Sequence, residues 1–97
     1  MSSSYIYFRV TGSVQGVTFR KSTMSEAHTL GLRGWVRNDS DGSVVGEAAG
    51  AADPIAKLRT FLHTGPSHAH VENVDMMYIK DHDVSTSSLP FPFEIRK

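Results

Sequence analysis

The chain of 97 residues is long enough for one hydrophobic core and too short for two, so it reads as a single domain over 1–97. Ten basic and ten acidic side chains cancel, with no basic run and no acidic tail, which argues against a general nucleic-acid or polyanion binder. Cysteine is absent, which excludes disulfides and cysteine-based metal sites. No run approaches a membrane span, and Met1–Ser4 lacks a signal-peptide pattern, so a soluble cytoplasmic protein is expected.

Tyr5–Thr11 alternates Ile6, Phe8 and Val10 against Tyr5, Tyr7, Arg9 and Thr11, the period of a half-buried strand. A helix is expected from about Arg20 or Lys21 to Leu30, with Met24, Ala27 and Leu30 on one face and Gly31 as its stop. Arg33–Asn38 and Ser43–Gly50 read as strands joined by Asp39-Ser40-Asp41-Gly42, whose side chains and glycine suit a hairpin turn. Asp53-Pro54 reads as a helix N-cap followed by proline at the first helical position. Ile55, Leu58, Phe61 and Leu62 supply the apolar stripe of that helix, and Gly65-Pro66 ends it. Val71–Ile79 is a fourth strand, and Phe93–Arg96 a short terminal one. The order β-α-β-β-α-β plus a terminal strand predicts an α+β, ferredoxin-like split βαβ sandwich. Its sheet is mostly antiparallel, four strands plus the short C-terminal one, with two helices on one face.

The segment between the first strand and the first helix carries the candidate chemistry. Gly12 and Gly16 allow a tight turn, and such a turn can aim several backbone N–H groups at one anion. The helix that follows adds its positive end, and Arg20 adds a fixed, always-charged fork. By spacing alone the same residues also suit an ordinary strand-to-helix turn carrying a surface arginine. The segment is neither a Walker A loop nor a dinucleotide fingerprint, since both spacings are absent.

Longer patterns resemble the acylphosphatases. They are Val10-x-Gly12-x-Val14-Gln15-Gly16-Val17-x-Phe19-Arg20, Ala27-x-x-Leu30-Gly31-Leu32 and Gly34-Trp35-Val36-Arg37-Asn38. The resemblance continues in Asp41-Gly42-Ser43-Val44, Gly65-Pro66 and Phe93-x-Ile95-Arg96, nearly the whole chain. It implies a compact ferredoxin-like enzyme that hydrolyses small acyl phosphates without a metal or other cofactor; a monomer is expected because nothing in the chain suggests an obligate partner. By position it implies that Arg20 binds phosphate, and that the loop Ser13, Val14, Gln15, Gly16, Val17, Thr18 and Phe19 cradles it. Asn38 then matches the residue that orients the attacking water. Thr18 falls at a variable position of the pattern, and Thr64–Val71 is richer in histidine than the resemblance implies.

The other chemistry-bearing residues have plainer readings. His28, His63, His68, His70 and His82 lack a third ligand at metal-binding spacing and are read as surface residues. Asp39 and Asp41 are read as turn residues, and Ser22, Thr23 and Ser25 lack a nucleophile context. Trp35, Phe8, Phe19 and Phe61 are assigned to packing, and Arg37 to the solvent-exposed face opposite Asn38. A binding module that holds phosphate or a carbamoyl group without turnover is the competing function. RNA binding through the same fold is disfavoured, because Ser43–Gly50 carries no aromatic residue for base stacking.

Overall fold

The computed structural model describes residues 3–13, 17–66, 69–80 and 89–96. The chain runs β1 (Ser3–Ser13), α1 (Val17–Thr29), β2 (Arg33–Asn38), β3 (Val44–Ala51), α2 (Ala52–Thr64), β4 (His70–Lys80) and β5 (Glu94–Ile95). The strands form one sheet in the order β4-β1-β3-β2-β5. β1 pairs antiparallel with β3 and β4, and β3 pairs antiparallel with β2. Among the described residues only β5 runs parallel to its neighbour, β2. This is the ferredoxin-like α+β arrangement expected from the element order.

The alternation read in β1 is realised in the core. Ile6, Phe8 and Val10 are fully buried, and they meet Phe19 and Ala27 of α1, Ile55, Leu58 and Leu62 of α2, and Val36, Val44 and Ala48 in one cluster. Both helices therefore cover the same face of the sheet. Phe8 lies opposite Gly46 in the β1–β3 register, where a Cβ would stand 2.5 Å from the Phe8 Cζ. The missing side chain at Gly46 is what lets the ring lie flat on the neighbouring strand.

Helix α1 starts at Val17, about one turn earlier than the apolar spacing suggests. Its inward stripe is Phe19, Thr23 and Ala27, and the polar member hides the pattern. Thr23 is nonetheless fully buried, because its hydroxyl donates to the Phe19 carbonyl at 2.9 Å. At the other end the Gly31 N–H bonds His28 O at 3.1 Å and the Leu32 N–H bonds Ala27 O at 2.9 Å, a Schellman closure with Gly31 at φ 68°. Helix α2 also starts before its expected cap: Ala51 is the N-cap, with no side-chain bond, and Asp53 and Pro54 fall inside the first turn. Strand pairing with Ser3 holds Ala51, so β3 passes into α2 with no loop between them. Asp53 still complements the helix dipole, and Pro54 lies where no intrahelical N–H bond is lost.

The C-terminal strand is anchored by the first half of the chain. Phe93 enters the core, and the Phe93 carbonyl bonds the His28 ring at 2.7 Å. Gly34 N–H donates to Pro90 O at 2.8 Å, and Arg96 N–H to Val36 O at 2.8 Å. These contacts fix β5 along the outer edge of β2.

Candidate active site

The site begins at a break in the β1–β4 ladder. The register shifts between Thr11 and Gly12, a bulge that re-aims the chain as it leaves the sheet. Gly12 has φ 125°, and a Cβ there would sit 2.7 Å from the Glu72 N and closer still to the His70 carbonyl oxygen. No other residue type fits that corner without moving β4. β1 ends at Ser13 and α1 begins at Val17, so the strand-to-helix connection is very short.

Of the expected phosphate cradle, Val14, Gln15 and Gly16 lie outside the described residues. The backbone of Ser13 belongs to the end of β1, and the backbones of Val17, Thr18, Phe19 and Arg20 form the first turn of α1. The cradle residues 17–19 are thus helical rather than loop. Their N–H groups lie in the first three helical positions, which an α-helix leaves without intrahelical acceptors. Thr18 is exposed and Arg20 half-buried, both in that first turn. Phe19 is buried and packs near Gly65 at the end of α2, which anchors the helix start to the core.

Asn38 reaches the same place from another direction. Val44 of β3 pairs with Val10 on one side and with Asn38 on the other, so the three residues form a row across β1, β3 and β2. β1 and β2 run parallel to each other on either side of β3, so both end at the same end of the sheet. Strand alternation places Asn38 on the face of Gly34 and Val36, which is the face covered by the helices. The first turn of α1 with Arg20, and Asn38 at the tip of β2, therefore share one end and one face.

The turn after Asn38 is heavily bonded on the opposite, helix-free face. Arg9 Nη2 donates to Asp39 Oδ2 at 2.8 Å, and Arg9 Nη1 donates to Asp41 Oδ2 at 3.1 Å and to Ser43 Oγ at 2.5 Å. Arg37 donates to Asn38 O at 3.3 Å and to Asp39 Oδ1 at 3.4 Å, with its guanidinium 5.8 Å from the Trp35 ring centre. Arg37, read from sequence as a solvated side chain, is thus half-buried and engaged. The Arg9 hydrogen bond, followed by the Ser40 N–H, holds the Asp39 carboxyl below the usual carboxylate range. Hydrogen bonds from the Ser43 hydroxyl and N–H do the same for Asp41. Asp39 and Asp41 are turn residues, as expected, but they also pair with an arginine from a third strand. That pairing was missed because the β1–β3 register cannot be read from local patterns.

Elsewhere on the helix-free face Glu47 accepts hydrogen bonds from the Tyr5 hydroxyl and, at 2.8 Å, from the Trp35 indole. Burial, and then this carboxylate, push the Tyr5 phenol above its ordinary range. A cavity of about 300 Å³ lined by Gly31, Arg33, Ala49, Gly50 and Phe91 opens at the other end of the sheet, away from Arg20 and Asn38. Among the described residues no three His, Asp or Glu side chains come together as a metal-binding group. No helix among them is long and apolar enough to cross a membrane.

Residues 6–88 match the Acylphosphatase family model. An acylphosphatase of Salinibacter ruber is 52% identical over 68 residues, covering 70% of this chain and 72% of the relative. The structure of an acylphosphatase from Coxiella burnetii superposes with a TM-score of 0.80 at 39% identity, covering 97% of this chain and 93% of the other. That of Bacillus subtilis superposes with a TM-score of 0.82 at 26% identity, covering 97% and 99%.

Proposed function

The chain belongs to the acylphosphatase family, and we propose that it is an acylphosphatase working without a metal, splitting small acyl phosphates into carboxylate and inorganic phosphate. The observation that carries this reading is the shared placement of Arg20 and Asn38, brought to one end and one face by the β1-β3-β2 pairing. In this reading the backbone N–H groups of 13–19 and the Arg20 guanidinium hold the phosphoryl oxygens. They stabilise the charge that shifts among those oxygens as the bond to the carboxylate breaks. A carboxylate is a good leaving group, so its departure needs little general-acid help.

Asn38 has the second role. Its amide both donates and accepts, so it can hold a water in line with phosphorus, but it is too weak a base to take the proton at neutral pH. The water oxygen forms the new bond to phosphorus, the bond from phosphorus to the carboxylate oxygen breaks, and the proton passes to a phosphate oxygen of the substrate itself. The expected setting is a cytoplasmic monomer whose substrate is a small molecule rather than a nucleic acid or a membrane.

The test is hydrolysis of benzoyl phosphate by purified protein in the presence of a chelator, comparing wild type with Asn38→Ala. Metal-independent turnover that Asn38→Ala loses, with inhibition by phosphate retained, is the expected result. Absence of turnover in the wild type, with phosphate still bound, would turn the reading to a phosphate-binding module.

A further inference from the structure

The charged cluster on the helix-free face takes no part in the chemistry above, yet it grips the segment that ends in Asn38. We propose that Arg9 is a positioning residue, which fixes Asn38 relative to the phosphate-holding segment by clamping the β2–β3 turn. The proposal rests on the reading of Asn38 as the water-orienting group.

The turn has its own closure: Asp39 N–H donates to Ser43 O at 2.8 Å, and Gly42 N–H to Asp39 O at 3.0 Å. Those bonds shape the turn but tie it only to itself. The tie to β1 comes from the Arg9 guanidinium. Arg9 holds Asp39 at the start of the turn, Asp41 in its middle and Ser43 at its close. Ser43 in turn donates from its hydroxyl to Asp41 Oδ1 at 2.6 Å and from its N–H to the same oxygen at 2.9 Å. The Asp39 carboxylate is filled on its other side by the Ser40 N–H at 3.0 Å and by Arg37. Arg37 also reaches the Asn38 carbonyl, which links the clamp directly to the residue it positions.

The place of Arg9 in the sheet gives the clamp its purpose. Arg9 belongs to β1, the strand that runs on through Gly12 and Ser13 toward the first turn of α1. Asn38 belongs to β2, separated from β1 by β3. A bond from β1 to the turn after β2 spans the intervening strand and sets the separation of the two halves of the site. Arg9 alternates to the face opposite Val10 and Asn38, so it acts through the backbone and not on the substrate. An arginine suits this role because its planar fork can hold several oxygens at once in fixed directions, which an ammonium cannot. A site of this kind needs its groups held to within about 0.5 Å.

The experiment measures kcat for benzoyl phosphate and the inhibition constant of inorganic phosphate. It uses wild type, Arg9→Met, Arg9→Lys, Asn38→Ala and the double variant Arg9→Met/Asn38→Ala. Arg9→Met should lower kcat by about ten- to a hundredfold, the scale of a small misplacement at a reacting centre. Phosphate inhibition should stay within about twofold of wild type and Arg9→Lys should fall between the two, because an ammonium keeps the charge but not the fork. In the Asn38→Ala background, adding Arg9→Met should change the residual kcat by less than about twofold, as expected for residues acting as a unit. Wild-type kcat in Arg9→Met, or a full additional loss in the double variant, overturns the proposal. If Arg9→Met does not fold, Asp39→Asn keeps the shape of the turn while weakening the grip of Arg9, and the same outcomes apply to it. A wild type without turnover overturns both this proposal and the assignment of Asn38. Asn38-dependent turnover that ignores Arg9 overturns this proposal alone.

Discussion

Replacing Gly12 with alanine tests the corner on which the proposed site is built. At φ 125° an L side chain is strained wherever it is placed, and this strain alone costs about 1–3 kcal/mol. The added Cβ also meets the Glu72 N at 2.7 Å and the His70 carbonyl more closely still, both backbone atoms that cannot rotate away. β4 must withdraw, and the loss of about one ladder hydrogen bond adds roughly 1 kcal/mol. Together these give a loss of about 2–4 kcal/mol, which for a domain of this size lowers Tm by roughly 10–20 °C. Gly31→Ala supplies the control, because Gly31 has φ 68° but no heavy atom within 4 Å of its would-be Cβ. It carries only the left-handed cost of about 1 kcal/mol, or roughly 4–8 °C. Thermal unfolding followed by circular dichroism reads both. Turnover of benzoyl phosphate below each Tm should fall in Gly12→Ala and persist in Gly31→Ala. A Gly12→Ala protein no less stable than Gly31→Ala would refute the argument that the bulge is sterically closed to a side chain.

Two further predictions address charge. Arg20→Gln should lower kcat/KM by at least about 10²–10³, the effect of losing one preorganised donor to a developing anion, and should also abolish inhibition by phosphate. Retained phosphate inhibition in that variant would show that the anion is held elsewhere. The carboxyls of Asp39 and Asp41 are lowered in the folded protein, so each contributes stability above the ordinary carboxylate range. That stability is lost as pH falls through the lowered values, because the unfolded chain takes up the proton first. Asp39→Asn should therefore be less stable than wild type at about pH 6 but lose less on acidification to about pH 3, read as urea midpoints. An acid limb as steep as wild type would mean that Asp39 carries no such linkage.

Much of the secondary structure was legible because its signals are local. The alternation of Ile6, Phe8 and Val10, the Asp39–Gly42 turn and the stops at Gly31 and Gly65 each depend on a few neighbouring residues. The helix starts were not legible. Thr23 interrupts the apolar stripe of α1, and only its bond to the Phe19 carbonyl shows that it belongs there. Ala51 carries no capping side chain, and its place as the N-cap of α2 follows from strand pairing with Ser3. Alternation puts Arg37 on the helix-free face, but the same alternation puts Trp35 and Asp39 on that face beside it, a local signal that a solvated reading passes over.

The order of elements, the apolar face of β1 and the residue types with phosphate chemistry are legible in the chain alone, because each is a matter of spacing, propensity or side-chain inventory. The chemistry of the loop points to Arg20, and the resemblance to the acylphosphatases points to Asn38. What placed them at one end of the sheet was the insertion of β3 between β1 and β2, a set of hydrogen bonds between segments far apart in the chain. The same holds for β5, which pairs with β2 from the far end of the sequence, and for the grip of Arg9 on the β2–β3 turn. Such contacts depend on register, and register is settled by the packing of whole strands against the helices rather than by any residue's neighbours in sequence.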